Sequence, residues 1–348
     1  MGLHRIIACG LVMLLPTAAV QAQEVPTQAA QTGVLALESM DARQIDSLDR
    51  AKTVFILPIG MIEEHGPHLP VGADTIWVAH SARALAQRLH QSLPEWAIVT
   101  MPNIEYGFGG ANGFSGNLID PGTYGIRQST LRALVADLGD QIAQNHFKWI
   151  LVLSHHGAPP HQEAINQACD FVTETDHVTM VNLTGLANED PEANKWFEEK
   201  IQPKYYSDAD LKSFGVEMHA GKDETSIILA EQPTAVRSVY RTLPQPSGSD
   251  IPALVSLARK PGWPGYFGAP AAANAAYGEE LLELLDSTAA KLAQRILKGE
   301  DLSQRPRSPG SMMADPKTRA TVEDESDDAK AFGAKLQEWL GNRKTQRK

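Results

Sequence analysis

Six residues, Val54 to Ile59, form an apolar run that ends at Gly60. A run without polar alternation suits a strand buried on both faces of a largely parallel sheet. Ile76, Ala79, Ala82, Leu85, Ala86 and Leu89 then recur at helical spacing over 75–92, and Trp96 to Met101 predicts a second strand. Ile126, Leu131, Leu134, Leu138 and Ile142 predict a helix over 124–146, and Trp149 to Leu153 a third strand. A helix over 160–173 and a fourth strand from His177 to Leu183 follow. Strands alternating with helices predict an α/β domain whose mostly parallel sheet is covered on both faces, a three-layer α/β/α sandwich. In such folds active sites gather beyond the carboxyl ends of the strands. Residues 184–215 break the rhythm with acidic, aromatic and proline-containing stretches, which predicts an insertion or lid over that edge. Beyond Leu302 proline, serine and charge predict a linker, and Ala329, Phe332, Leu336 and Leu340 then restore the period of a short docking helix.

The first 22 residues depart from this pattern. His4 and Arg5 precede the apolar run Ile6 to Leu15, and small residues surround Ala22, the three parts of a secretory signal peptide cleaved after Ala22. The apolar part is too short for a permanent membrane helix. Residues 23–34 read as a flexible, Ala/Gln-rich linker, so the expected domain covers 35–300 and a C-terminal extension covers 301–348. Export places the mature chain in the periplasm or outside the cell. Removing the signal takes Cys9 with it and leaves Cys169 as the only thiol, which precludes an internal disulfide. The 348 residues are 43% hydrophobic, enough for a large core, and 42 acidic against 31 basic residues give a net charge of −11. That charge repels a phosphate backbone, so no nucleic acid is expected as a partner, and no membrane once the signal is gone.

Three polar clusters stand out. Glu63-Glu64-His65-Gly66-Pro67-His68-Leu69-Pro70, followed by Asp74, comes directly after the first strand. Glu63 and His65 alternate, so both can face one locus while Glu64 faces away. Asp74 has two readings, an N-cap of the following helix or a carboxylate reaching back to a metal. Ser154-His155-His156-Gly157 follows the third strand, where paired histidines by themselves are more often surface or core residues. The third cluster, Glu217-Met218-His219-Ala220-Gly221-Lys222-Asp223-Glu224-Thr225-Ser226, sets a histidine and a glutamate five apart. Imidazoles and carboxylates converging at one sheet edge suit a divalent ion such as zinc, manganese or iron.

The clusters resemble the creatininase (creatinine amidohydrolase) family in order and spacing over roughly residues 50–295. Leu57 to Asp74 reads L-P-I-G-M-I-E-E-H-G-P-H-L-P-V-G-A-D, close to the family's E-Q-H-G-P-H-L-P followed by aspartate; Phe114 to Asn117, His156 and H-A-G-x-x-E-T-S at His219 to Ser226 continue the match. The resemblance implies one or two divalent ions (Zn, Mn or Fe), with Glu63, Asp74 and His156 at one, His65 and Asp74 at the other, and Asp74 bridging. It implies His219 near the scissile bond, Glu224 as a ligand or a partner of one, and His68 as a support of its loop. His155, Gly157 and Glu217, beside these residues, are the candidate substrate contacts. A bound divalent ion lowers the pKa of water toward neutrality and polarises a carbonyl, and an imidazole can pass a proton to the departing nitrogen.

Departures from the family pattern matter too. Ala158 stands where the creatinine-hydrolysing form has a metal-binding glutamate, and Gly157 where it has an aromatic residue. Creatinine is therefore not the expected substrate, and the second ion requires Glu224, Glu163 or His161. Gly107 to Asn112 suggests either close approach of the backbone to a ligand or a flexible turn. The expected function is metal-dependent hydrolysis of a small-molecule amide: a cyclic amide, a formamide or a small peptide-like substrate. A periplasmic metal- or solute-binding protein that has lost catalysis, and an ester or lactone hydrolase, are the rivals. The family resemblance also implies a homo-oligomer.

Overall fold

The structure is a computed structural model of the whole chain and describes residues 31–109, 121–246, 248, 250–321 and 327–346. The signal peptide, most of the following linker, and Phe114 to Asn117 lie outside the described residues. Five parallel strands, β1 (Gly33–Ala36), β2 (Thr53–Ile59), β3 (Ala97–Thr100), β4 (Trp149–Ser154) and β5 (Thr179–Asn182), lie in the order β1-β3-β2-β4-β5. The helices that bear on the site are α1 (Ala73–Ser92), α2 (Gln128–Gln144), α3 (Pro159–Asp176), α4 (Leu183–Asn188), α5 (Lys222–Glu231), α6 (Ile251–Ala258), α7 (Ala275–Leu297), α8 (Pro316–Thr321) and α9 (Asp327–Gln346).

The apolar run of β2 explains the layering. Val54 and Ile56 point to one face, where they pack with Val78, Leu85 and Leu89 of α1 and Leu292, Ala293 and Ile296 of α7. Phe55, Leu57 and Ile59 point to the other, against Leu131 and Val135 of α2 and Ile165, Cys169 and Val172 of α3. Two-sided burial leaves no solvated face, hence no polar alternation in the sequence. The fold class is that of the expected α/β/α sandwich. The predicted elements hold, with ends shifted by at most four residues. β1 was not foreseen: it begins at Gly33, two residues before the expected start of the domain, and four half-covered residues at a sheet edge carry little pattern.

Strand order places the site. From β2 the chain moves outward to β3, then crosses back to β4 on the other side of β2, so β2 and β4 are neighbours from which the connections depart in opposite directions. The carboxyl ends of adjacent strands at such a switch open into a crevice. Residues 184–215, expected as an insertion or lid, form a series of short helices. Their Ile201, Tyr206 and Phe214 pack with Ile227 and Ile228 of α5 and Tyr277 and Leu281 of α7. The stretch after Leu302, expected as a linker, is bonded to the domain side by side with α3 and α4, because Arg305 pairs with Asp190 and Arg307 with Asp170. Proline, serine and charge signal a solvated chain only when those charges find no partner. In α9, Phe332, Leu336, Trp339 and Leu340 are exposed, and Phe332 meets the Arg127 guanidinium 5.4 Å from its ring centroid. No helix among the described residues is long and apolar enough to cross a membrane.

Candidate metal centre

The loop after β2 and the first turn of α1 meet because Gly60 allows it: a Cβ there would lie 2.8 Å from Thr75 Cα. Asp74 is the second residue of α1, and the N-cap is Gly72, so the N-cap reading of Asp74 does not hold. Its carboxylate turns instead toward the loop. Since Ile59 pairs with Ser154, the loop after β2 and the residues after β4 leave the sheet side by side. Glu63, His65, Asp74, His156 and His219 are all buried.

Three sets of donor atoms converge, each within 4.8 Å: Glu63 with Asp74 and His156, His65 with Asp74 and Glu224, and Glu63 with His65 and His219. His156 Nδ1 lies 3.0 Å from Glu63 Oε2 and 3.1 Å from Asp74 Oδ2. The other oxygen, Asp74 Oδ1, lies 3.4 Å from His65 Nε2, which is 3.6 Å from Glu224 Oε2. Asp74 therefore presents one oxygen to each of two donor groups, as a bridging carboxylate does.

Backbone carbonyls set the ring tautomers. A carbonyl only accepts, so His65 Nδ1 donates to the Glu63 carbonyl (2.9 Å), His156 Nε2 to that of Phe108 (3.0 Å) and His219 Nε2 to that of Glu64 (2.7 Å). His65 Nε2 and His156 Nδ1 are thereby left to face the carboxylates. An N–H anchored on a carbonyl is how ligating imidazoles are usually oriented.

Electrostatics point the same way. Burial disfavours charge on His65, but Asp74, Glu224 and Glu63 outweigh it and raise its pKa to about 10. Burial opposes charge on His156 as well, and Glu63 and Asp74 hold it well above the ordinary imidazole range. Burial pushes Glu224 up to about 7. Burial also raises the pKa of Glu63, yet His219, His156 and His65 bring it down to about 2. On His219 burial prevails, and its pKa falls to about 4.

A metal fits this donor set. His65 Nε2 and Asp74 Oδ2 are buried and make no hydrogen bond, although each stands within ion-pair distance of a neighbour. Both residues belong to donor groups whose ligand atoms lie within 4.8 Å of one another. Three carboxylates brought together out of water need compensating positive charge, and hard oxygens with imidazole nitrogens suit a divalent first-row ion.

The other candidates are placed differently. His155 joins none of the three donor groups. Its ring stacks on Trp77, with centroids 4.1 Å apart, and its Nε2 meets Ser81 Oγ at 2.9 Å, both partners on α1. Glu217 accepts from the backbone N–H of Lys222 and Ala269, which ties the start of α5 to the stretch after Phe267. Gly157 is exposed, with open space where a Cβ would be. His161 is not available to a second ion, since Nε2 is bonded to Ser154 Oγ and Nδ1 accepts from the Phe108 N–H. Glu163 is exposed and bonded to Gln167. Of the three candidates for completing the His65 group, only Glu224 is in it. His68 bonds the Ala220 carbonyl and Thr225 Oγ1, so it supports the loop. Gly107 lies against the His161 ring, which would be 2.5 Å from an added Cβ, so the close approach there is to protein. Gly110 to Asn112 lie outside the described residues.

Sequence reasoning missed Ala220, whose φ of 50° between His219 and Gly221 is rare for a residue with a side chain. Glu224 holds it there by accepting from its N–H at 2.6 Å. Residues 38–295 match the sequence profile of the family described as creatinine amidohydrolase. The chain belongs to the creatininase family. Among family relatives, the mycofactocin precursor peptide peptidase of Mycobacterium ulcerans (strain Agy99) is 27% identical over 250 residues, 69% of this chain and 84% of the relative. A solved manganese form of creatininase superposes with a TM-score of 0.55 at 19% identity, covering 76% of this chain and 99% of that one. A zinc–zinc form of a creatininase variant gives 0.56 at 19% identity, with the same coverage. The solved structures share the fold, and the family's characterised relatives hydrolyse carbon–nitrogen bonds.

Proposed function

We propose that the chain is an exported, metal-dependent amidohydrolase that cleaves a small peptide-like or cyclic amide. The observation that carries this reading is the division of Asp74 between two donor groups, Oδ2 toward His156 and Glu63 and Oδ1 toward His65 and Glu224. Glu63, Asp74 and His156 would hold one divalent ion, and His65, Asp74 and Glu224 a second. Ions at such a site supply Lewis acidity toward a carbonyl and toward water.

The chain's own residues supply the rest. His219 keeps Nε2–H on the Glu64 carbonyl, which leaves Nδ1 as the atom able to take up a proton and return it to the departing nitrogen. An amide nitrogen leaves poorly as an anion, so that return is worth most on amides. Burial of Glu63, His65 and Asp74 excludes bulk water from the carboxylates, and the carbonyl bonds to the three imidazoles fix their orientation before substrate arrives. Gly157 leaves room beside His156, which supports a substrate extending past the scissile bond. The peptidase named among the relatives favours the peptide-like class over creatinine.

The rival reading, a binding protein without turnover, drew on the missing glutamate at Ala158. Glu224 in the second donor group weakens that argument. Export rests on the pattern of residues 1–22, and a mature N-terminus at Gln23 in sequenced protein would bear it out. Elemental analysis with a panel of matched amides and esters tests the function. Bound metal with amide turnover is expected; metal without turnover on any amide, formamide or small peptide would favour the binding protein, and turnover of esters alone the esterase.

A further inference from the structure

The family match ends at residue 295, yet the chain beyond it packs back on the domain. Leu302 is buried in the core with α7. The next residues are pinned along α3 and α4 at several points. Arg305 Nη2 donates to Asp190 at 2.9 Å and Arg307 Nη1 to Asp170 at 2.8 Å. The Ser308 N–H donates to the Gly185 carbonyl at 2.9 Å, and Ser311 Oγ to Glu189 at 2.7 Å. Farther on, α8 packs against α6, on the side of the molecule where Phe267 donates to the His219 carbonyl.

Beneath Ser308 runs a line of buried amides. Asn166 Nδ2 donates to the Ser308 carbonyl at 2.7 Å, and Asn166 Oδ1 accepts from Asn182 Nδ2 at 3.0 Å. Asn182 Nδ2 also donates to Gln162 Oε1 at 2.9 Å, and Gln162 Nε2 donates to the His156 carbonyl at 2.6 Å. Gln162, Asn166 and Asn182 are 2%, 5% and 0% exposed. An amide buried this deeply is costly unless its donors and acceptors are met. Here each amide is met by its neighbour in the line, while Asn182 Oδ1 also accepts from the Gly185 N–H at 2.9 Å and Gln162 Nε2 also reaches the Ser154 carbonyl at 3.4 Å. The far end of the line is the main chain of a residue whose imidazole faces Glu63 and Asp74.

We infer that the C-terminal segment 302–311 is a positioning element of the metal centre, holding the His156 turn in place through Asn166, Asn182 and Gln162. The inference rests on the proposed metal reading for its effect on affinity, but not for its effect on the turn itself. Removing a partner that orients a ligand typically weakens metal affinity by roughly 10- to 100-fold. The test compares full-length mature protein with Arg305→Ala/Arg307→Ala, which unlatches the segment at the surface, and with Asn166→Ala, which breaks the line. Arg88→Ala, on the far side of α1, serves as the control.

Two quantities are read: hydrogen exchange of peptides covering 154–162 in metal-stripped protein, and zinc affinity by chelator competition. Faster exchange at 154–162 in both test variants and not in Arg88→Ala is expected, with zinc binding weakened by roughly tenfold or more. Unchanged exchange there in the folded double variant would overturn the inference, whatever happens to Asn166→Ala. Wild-type protein that binds no zinc would instead overturn the metal reading, with the exchange result still deciding the role of the segment.

Discussion

The two halves of the centre are built from different material. Glu63 and His156 follow adjacent strands, and the pairing of Ile59 with Ser154 fixes their separation; moving one relative to the other means breaking the ladder between β2 and β4. Glu224 sits in the first turn of α5, at the end of a long excursion from the sheet, and its side chain is 18% exposed. What fixes it is a set of side-chain contacts, including its own bond to the left-handed Ala220 and the packing of α5 on α7. The difference teaches that the Glu63 group should be the tighter and more permanent site, and the Glu224 group the one that conditions can loosen.

The strongest challenge to that contrast is Asp74→Ala. If one carboxylate serves both groups, this variant loses metal from both and amide turnover with it, by elemental analysis and by assay. Retention of a full equivalent would mean that the groups are independent. A smaller effect is expected from His219→Ala, since the residue takes part in proton transfer rather than in holding the ions in this account. Metal content should stay at the wild-type value while kcat on amides falls by roughly 10²-fold or more, and less on esters with good leaving groups. An equal loss on both would assign His219 to positioning.

The smallest effect concerns pH. His80 of α1 lies between Asp286 of α7 (3.0 Å) and Glu231 at the end of α5 (2.5 Å). The bond to Asp286, then the one to Glu231, raises its pKa against the opposing effect of burial. With a folded pKa above the unfolded value near 6.5, its stabilisation is complete below about pH 6.5 and is lost as pH rises through the folded value. Because Glu231 ends the helix that carries Glu224, the loosening should reach that half first. The excess of the wild-type thermal midpoint over that of His80→Gln should be widest at about pH 6 and shrink as pH rises above it; a constant gap would remove His80 from the account.

The same contrast separates what was legible in the sequence from what was not. Strands β2 and β4 declare themselves as apolar runs, and the residues just beyond them, Glu63 and His156, are legible as candidates because strand ends are where such folds place chemistry. The spacing of His155 and His156 does not separate them, and it is the family resemblance that singles out His156; in the structure neighbours after the strand face different ways, and His155 packs on Trp77. Glu224 was ambiguous for another reason. Its place in the His65 group depends on the path of the chain from 184 to 221, which no local pattern encodes. The amide line from Gln162 to Ser308 joins residues far apart in sequence, each of which looks like an ordinary helix-surface or turn residue. The segment around Ser308 reads as solvent-exposed linker until Asp170 and Asp190 are known to face its arginines.

The central claim, two donor groups sharing Asp74 with the Glu224 half the weaker, is met most directly by counting metal per chain in saturated, dialysed wild type and in Glu224→Ala. The account predicts two equivalents in the wild type and one in the variant. The same count in both proteins, or no metal in the wild type, would contradict it.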